Sequence, residues 1–430
     1  MHALICSNLV VIIRDETRHV MIGLFASLPF SREKSADLLL RLISPTRHFH
    51  LLHSHPRFPF CCLHPSHTAF RVLHKATEVP AMSSINHQNV EEARLTGTGA
   101  ELRAEDCIYL AAKSNQQVDY LERLTSGDQL GLVLPEGTAI YPANQMRIHA
   151  EDGGEFQLAS FMESLNTSFL GNVLFYSPCL PSTHTFLSQN FHALPIGTVC
   201  IADSQRQGKG RAGNAWVSPK GCLMFSFTLQ MNNGRILPFL QYVVTLAIVE
   251  AVEMVSFNKQ MRAPDLRIKW PNDIYAKGMK IGGVLCTSTY NSSKFKIVIG
   301  IGLNVKNQEP TTCLDSLVHE FDSDANAFSR EEILAAFLWK FESLYQVFLD
   351  QGFSALESTY YRYWLHSGQK VEIKEDMDSA SGSKVPVTIE GLTSSGFLLA
   401  VDEHSEKYEL HPDGNSFDFL QGLIRRKLQV

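Results

Sequence analysis

An excess of basic charge is missing from this 430-residue chain: 38 Lys and Arg face 44 Asp and Glu, a formal net charge of −6 at pH 7. Proteins that bind nucleic acid or anionic membranes over a broad surface carry the opposite balance, so neither partner is expected and any anion site must be local. Long apolar runs are missing too. No uninterrupted stretch reaches the ~18 residues of a membrane helix, and Ala3 to Ile13 is short and broken by Cys6-Ser7-Asn8, without the basic start of a secretory signal. Cysteine is sparse and odd in number, nine residues without a paired framework. That pattern excludes a disulfide scaffold and fits reduced thiols in cytosol, stroma or matrix. Acid is absent from Leu38 to Thr77, where Arg41, Arg47, Arg57, Arg71 and Lys75 alternate with Ser, Pro, Phe and His. Such composition suggests an organelle transit leader, the alternative being a disordered leader with Met82 as an internal start. Within it Cys61, Cys62, His64 and His67 match no common zinc spacing, which favours a His-rich leader over a metal site.

What is present is a folded chain, with 44% hydrophobic and 19% charged residues, long enough for two or three domains. Segments 1–90 and 95–165 read as the leader and a small module of unassigned role, the latter ending at the turn-rich Glu151-Asp152-Gly153-Gly154. Residues 170–362 alternate strand and helix patterns. Val173–Tyr176 reads as a strand and Ser182-Thr183-His184 as a capped helix start. Pro238 to Phe257 carries apolar residues at helical spacing, and Ser329-Arg330-Glu331-Glu332 is a capping box opening a helix through Phe348. Residues 366–430 change character to short strands divided by turns, which predicts a small C-terminal SH3-like β-barrel.

The richest stretch runs from Asp203 to Gly221, between strand-like segments Gly197–Ala202 and Leu223–Leu229. Gly208, Gly210 and Gly213 let backbone amides approach an anion, Lys209 and Arg211 supply charge, and Trp216 offers a flat face to an aromatic ring. The same residues could form a solvated hairpin, and they are no Walker A loop, since no Gly-Lys-Ser/Thr follows a four-residue spacer. Two further blocks follow: Lys269-Trp270-Pro271-Asn272-Asp273-Ile274-Tyr275 with Lys280-Ile281-Gly282-Gly283-Val284-Leu285, then Gly300-Ile301-Gly302-Leu303-Asn304-Val305. The glycines of the last strand allow a ligand or another backbone to come close.

In order and spacing these three blocks resemble the biotin protein ligases (holocarboxylase synthetases) in their eukaryotic, plant-like form, over about residues 170–430. The resemblance implies an α+β fold with a central mixed or antiparallel sheet, of the class II synthetase-like kind, followed by the SH3-like domain. It also implies ATP-dependent activation of biotin as biotinyl-5′-AMP and transfer to a lysine on carboxylase carrier domains, with Mg²⁺. By that resemblance Ser182, Thr183, Gln205, Gly208, Arg211 and Lys280 would hold biotin. Lys209, Gly210, Arg211, Trp216, Asn272 and Asn304 would hold ATP and the adenylate, Asp273 would place Mg²⁺, and Lys280 with Arg211 would be catalytic. Each has a plain alternative: Ser182 is also an ordinary N-cap, Lys280 and Asp273 are good turn residues, and Trp216 could be core. His184 stands where the family usually has Asn and is left out of the site. Lys209 stands in place of Arg, and Asn214 and Ala215 stand where cations are common. Two other functions compete. A lipoate–protein ligase would carry an Arg-Arg-x-Ser-Gly-Gly-Gly motif, which this chain lacks, and a non-catalytic sensing module would have lost Lys280 or the loop glycines, which it keeps.

Overall fold

The computed structural model describes residues 107–113, 131–143, 146, 156–307, 309–323, 328–374, 384–412, 415–418 and 423–426, with three short strands nearer the N-terminus. Those three, Ile5–Cys6 (β1), Leu9–Ile13 (β2) and Phe49–His53 (β3), form an antiparallel sheet inside a unit spanning Met1–Thr96. The Cys61–His67 cluster and most of the expected leader lie outside the described residues.

The second unit, Gly97–Val430, is built on a nine-stranded mixed sheet. Its strands are Cys107–Ala112 (β4), Ala139–Pro142 (β5), Val173–Leu180 (β6), Val199–Gln205 (β7), Cys222–Met231 (β8), Leu266–Lys269 (β9), Asp273–Ala276 (β10), Met279–Asn291 (β11) and Lys294–Asn304 (β12). They lie in the order β5-β4-β6-β7-β8-β12-β11-β10-β9, so two strands from the 95–165 segment extend one edge. Pairing is antiparallel except β4 with β5 and β6 with β7. The described α-helices are Leu158–Ser164 (α1), Thr183–Asn190 (α2), Leu240–Asn258 (α3), Leu314–His319 (α4), Arg330–Gln351 (α5) and Ser354–Tyr363 (α6).

Period-two alternation divides the sheet into two cores. Leu223, Phe225, Phe227 and Leu229 of β8 share one face with Val199 and Ile201 of β7, against helices α3 (Leu240–Asn258) and α5 (Arg330–Gln351). Phe175 and Cys200 face the other way, onto Phe186, Leu187 and Phe191 at helix α2 (Thr183–Asn190). Helix α3 is apolar nearly all round and long enough to cross a bilayer by length and composition, yet 78% of its most apolar window is buried inside the protein. Its acidic exceptions are engaged: Glu250 meets Lys340 at 3.2 Å, and Glu253 accepts from the Tyr363 hydroxyl at 2.7 Å. It is a core helix.

Helix α5 opens on the expected capping box, with Ser329 Oγ accepting from Glu332 N and Glu332 reaching back to Ser329 N. Its first residue, Arg330, forms a buried 2.7 Å ion pair with Asp203, which also accepts from Tyr176 Oη at 2.6 Å. Breaking one side of such a pair costs about 3–5 kcal/mol. The pair therefore fixes the end of β7, two residues before Gln205.

The C-terminal expectation needs correction. Lys370–Lys374 (β13), Lys384–Leu392 (β14), Leu398–Asp402 (β15), Lys407–Leu410 (β16), Asn415–Asp418 (β17) and Leu423–Arg426 (β18) form one open sheet in the order β16-β15-β14-β13-β18-β17, not an SH3-like barrel. Among the described residues no ladder joins the outer strands β16 and β17. Alternation and turn residues specify short antiparallel strands, but closure depends on pairing the two sheet edges, which no local pattern encodes. This sheet covers its apolar face differently. Val371, Val387, Ile389, Leu398 and Leu410 join the same core as α3 and α5, and the Tyr361 hydroxyl of helix α6 (Ser354–Tyr363) accepts from Leu392 N at 2.8 Å.

Candidate active site

A cleft of about 380 Å³ opens over one end of the nine-stranded sheet. Its floor is glycine. Gly283 of β11 pairs directly with Gly302 of β12, and Gly300 lies two residues along on the same face. A Cβ at Gly302 would fall inside the Trp216 indole, and one at Gly283 would lie 3.3 Å from that ring. Without side chains there, a flat ring can rest on the strands themselves.

At one end, Ser182 caps α2, its Oγ accepting from Thr185 N at 3.3 Å. Gln205 Oε1 accepts from Thr183 N at 2.9 Å, while its Nε2 donates to Ser218 Oγ at 3.1 Å. Thr183 Oγ1 sits 2.8 Å from Ser226 Oγ. These bonds lock the helix start, the end of β7 and the segment after Trp216 together.

The Gly-rich stretch folds as a short hairpin over the cleft. Trp216 N donates to Gly208 O at 2.9 Å, Lys209 bridges Ala215, and Gly210 N donates to Asn214 O at 2.7 Å. Ala212 (φ 53°) and Gly213 (φ 75°) make the tip, where Gly is at ease and Ala is strained. Gly208 is buried under its partner strand, since a Cβ there would come within 2.5 Å of Trp216 O.

The opposite wall is the turn before β10 and the start of β11. Arg211 Nη1 donates to Asn272 Oδ1 at 2.9 Å, and Asn272 is held by Nδ2 donating to Val284 O at 2.7 Å. Lys280 Nζ lies 2.7 Å from Asp273 Oδ1 and 5.6 Å from the Trp216 ring centre. The β10–β11 turn has positive φ at Lys277 and Gly278, which suits the twist of a tight hairpin and delivers Lys280 to the cleft. Four cationic side chains, Lys209, Arg211, Lys269 and Lys280, line the cleft against one carboxylate, Asp273. Positive charge is thus concentrated locally on a chain that is acidic overall.

Every residue picked from the sequence lines this cleft except Gly208 and Asn304. Asn304 is buried behind it. Its Nδ2 donates to Thr312 O (3.0 Å) and Thr311 Oγ1 (3.2 Å), and Thr311 Oγ1 donates to Lys280 O at 2.6 Å, so Asn304 reaches the lysine only through the backbone. Sequence reasoning missed Ser226, Lys269 and Pro412 as lining residues and set His184 aside. Ser226 carried a signal, a polar residue inside the apolar strand β8. Pro412 carried none.

His184 Nε2 lies 2.9 Å from Thr287 Oγ1, and burial, then the Lys209 charge, lower its pKa to about 4. His366, fully buried, is likewise lowered to about 4, chiefly by burial. Both are neutral in the folded protein while their unfolded counterparts bind protons near 6.5. Their stabilisation is therefore complete above about pH 6.5 and is lost as pH falls toward 4, by about 2 kcal/mol each at pH 5. Asp315, raised by burial, titrates with the opposite sign and partly offsets this. The urea midpoint should thus fall between pH 7.5 and 5.0, and His366→Gln should flatten the slope. An unchanged slope in that variant would remove His366 from the account.

Comparison with known proteins gives the same class. Residues 176–304 match the Biotin/lipoate A/B protein ligase family. Biotin–protein ligase 2 of Arabidopsis thaliana is 48% identical over 329 residues, covering 76% of this chain and 100% of that protein. Biotin–protein ligase 1, chloroplastic, of the same plant is 47% identical over 336 residues, with 77% and 91% covered. Among solved structures, biotin protein ligase from Aquifex aeolicus in complex with biotin and ATP aligns at 26% identity with a TM-score of 0.44, covering 55% of this chain and 94% of that one. The chain belongs to the biotin–protein ligase family and is an enzyme of that kind.

Proposed function

We propose that the cleft joins biotin to ATP and then to a lysine on the carrier domain of a biotin-dependent carboxylase. In the first step the biotin carboxylate attacks the α-phosphorus, the bond to the β-phosphate oxygen breaks, and pyrophosphate leaves with biotinyl-5′-AMP retained. In the second, a neutral lysine amine attacks the acyl carbon, AMP leaves with the bond electrons, and the amine gives up a proton. Both steps place anions side by side, so the work is positioning and fixed positive charge rather than enzyme nucleophiles. The observation that carries this reading is the arrangement of Lys209, Arg211 and Lys280 around a glycine floor capped by Trp216.

Ser182, Thr183 and Gln205 are assigned to biotin, together with Gly208 as the root of the hairpin. Lys209, Gly210, Arg211, Trp216 and Asn272 are assigned to the nucleotide, with Lys280 between carboxylate and α-phosphate. Asn304 acts behind them, by bracing Lys280. Mg²⁺ suits this donor set: it takes one or two carboxylates from protein and completes its shell with phosphate oxygens and water. Asp273 would hold it, and the ion would offset phosphate charge. Among the described residues no cluster of three or more His, Cys, Asp or Glu competes as a metal site. An organellar location is supported by the acid-poor leader and by the relative named as chloroplastic.

Incubating the protein with ATP, Mg²⁺, an apo-carrier domain and either biotin or lipoate tests the reading. Biotin-dependent carrier modification is expected. Lipoate transfer alone would replace it with the lipoate reading, and neither product would leave a binding module. The floor makes a separate prediction: Gly302→Ala should displace Trp216 and slow pyrophosphate exchange at least about tenfold, as small misplacements near reacting groups do. Wild-type exchange in that variant would show that Trp216 need not rest on the strand.

A further inference from the structure

Behind the Asn272–Asp273 wall, a chain of hydrogen bonds runs from the cleft into the C-terminal sheet. Trp270 N donates to His366 Nε2 at 2.9 Å, and Trp270 Nε1 donates to Tyr242 Oη at 2.8 Å. The Tyr242 hydroxyl donates in turn to Gly396 O, at the turn between β14 and β15. With Nε2 accepting, the proton of His366 resides on Nδ1, which donates to Gln369 Oε1 at 2.9 Å. Trp270, Tyr242 and His366 are 4%, 1% and 0% exposed. Leu365 N adds a backbone bond to Ile268 O at 2.9 Å. Neither His366 nor Tyr242 lines the cleft, whereas Trp270 does.

The chain ends two residues before Asn272, which receives Arg211, and three before Asp273, which meets Lys280. The bonds at the other end of the cleft, among Thr183, Gln205, Ser218 and Ser226, pass through none of these groups. We propose that His366 and Tyr242 are positioning residues for the nucleotide-activating step: through Trp270 they fix the Asn272–Asp273 turn, and they make its placement depend on the docked C-terminal sheet. A buried neutral imidazole suits this task, because it remains an acceptor at ordinary pH.

The inference rests on the functional reading above, and the full-length protein tests both. Wild type must show biotin-dependent ATP–pyrophosphate exchange; an inactive wild type overturns the functional reading and this inference with it. With an active wild type, Tyr242→Phe and His366→Leu should each lower exchange kcat about tenfold and raise the KM for ATP. Biotin affinity, measured by calorimetry without nucleotide, should stay within about twofold. His366→Gln, whose amide oxygen can occupy the place of Nε2, should recover most of the rate. Should His366→Leu fail to fold, Tyr242→Phe removes a single oxygen and carries the test alone. Parallel losses of biotin affinity and exchange, or undiminished exchange in folded variants, would overturn the inference.

Discussion

Lys280→Ala is expected to lower biotin-dependent ATP–pyrophosphate exchange about 10²–10³-fold while the protein stays folded, the usual cost of deleting a preorganised donor where charge gathers. The fold should survive because the side chain is 38% exposed and its ion pair, 2.7 Å to Asp273, leaves a partly solvated carboxylate when broken. Surface-type pairs of this kind contribute at most about 1 kcal/mol. In the structure Lys280 and Asp273 satisfy each other. When two anions enter the cleft the lysine can turn to them, and Asp273 is then free for a cation. Comparing Lys280→Ala with Asp273→Asn separates the roles: the first should fail at every Mg²⁺ concentration, the second should be partly recovered by excess Mg²⁺. Exchange at the wild-type rate in Lys280→Ala would end its assignment.

Why the site could be read in advance and other parts could not follows from how each is built. Gly208 to Gly221, Lys269 to Leu285 and Gly300 to Val305 are local: one connection between neighbouring strands, two turns joining three consecutive strands, and the end of a single strand, so contiguous residues carry the geometry. The glycine floor was foreseeable for the same reason, since Gly300 and Gly302 in one strand must share a face. Pro412 and His366 were not, because both arrive by long-range docking, His366 from 96 residues beyond Trp270 and Pro412 from farther still. The barrel expectation failed on the same ground, as edge pairing is a long-range event. Asn304 shows a third case. Regular alternation to the end of β12 puts it on the same side as Gly302, yet its amide is engaged by Thr311 and Thr312, partners that lie beyond the motif itself.

Arg211→Gly should release biotinyl-adenylate roughly ten to a hundred times more readily than wild type. The hairpin from Gly208 to Trp216 is internally bonded, and beside its tip Arg211 fastens it to the opposite wall through Asn272. Asn272 is itself fixed to Val284, which gives the latch a rigid anchor. A charge-assisted bond of this kind contributes about 1.5–3 kcal/mol, and each ~1.4 kcal/mol is a tenfold change in equilibrium. Glycine in its place also adds backbone freedom beside a tip already strained at Ala212. An acyl-adenylate reacts with any amine, so leakage should appear as biotin on unrelated proteins while adenylate formation continues. If Arg211 chiefly binds ATP instead, the variant makes little adenylate and labels nothing. Measuring free biotinyl-adenylate together with labelling of a bystander protein separates the two, and tight retention at wild-type turnover would exclude Arg211 from both roles.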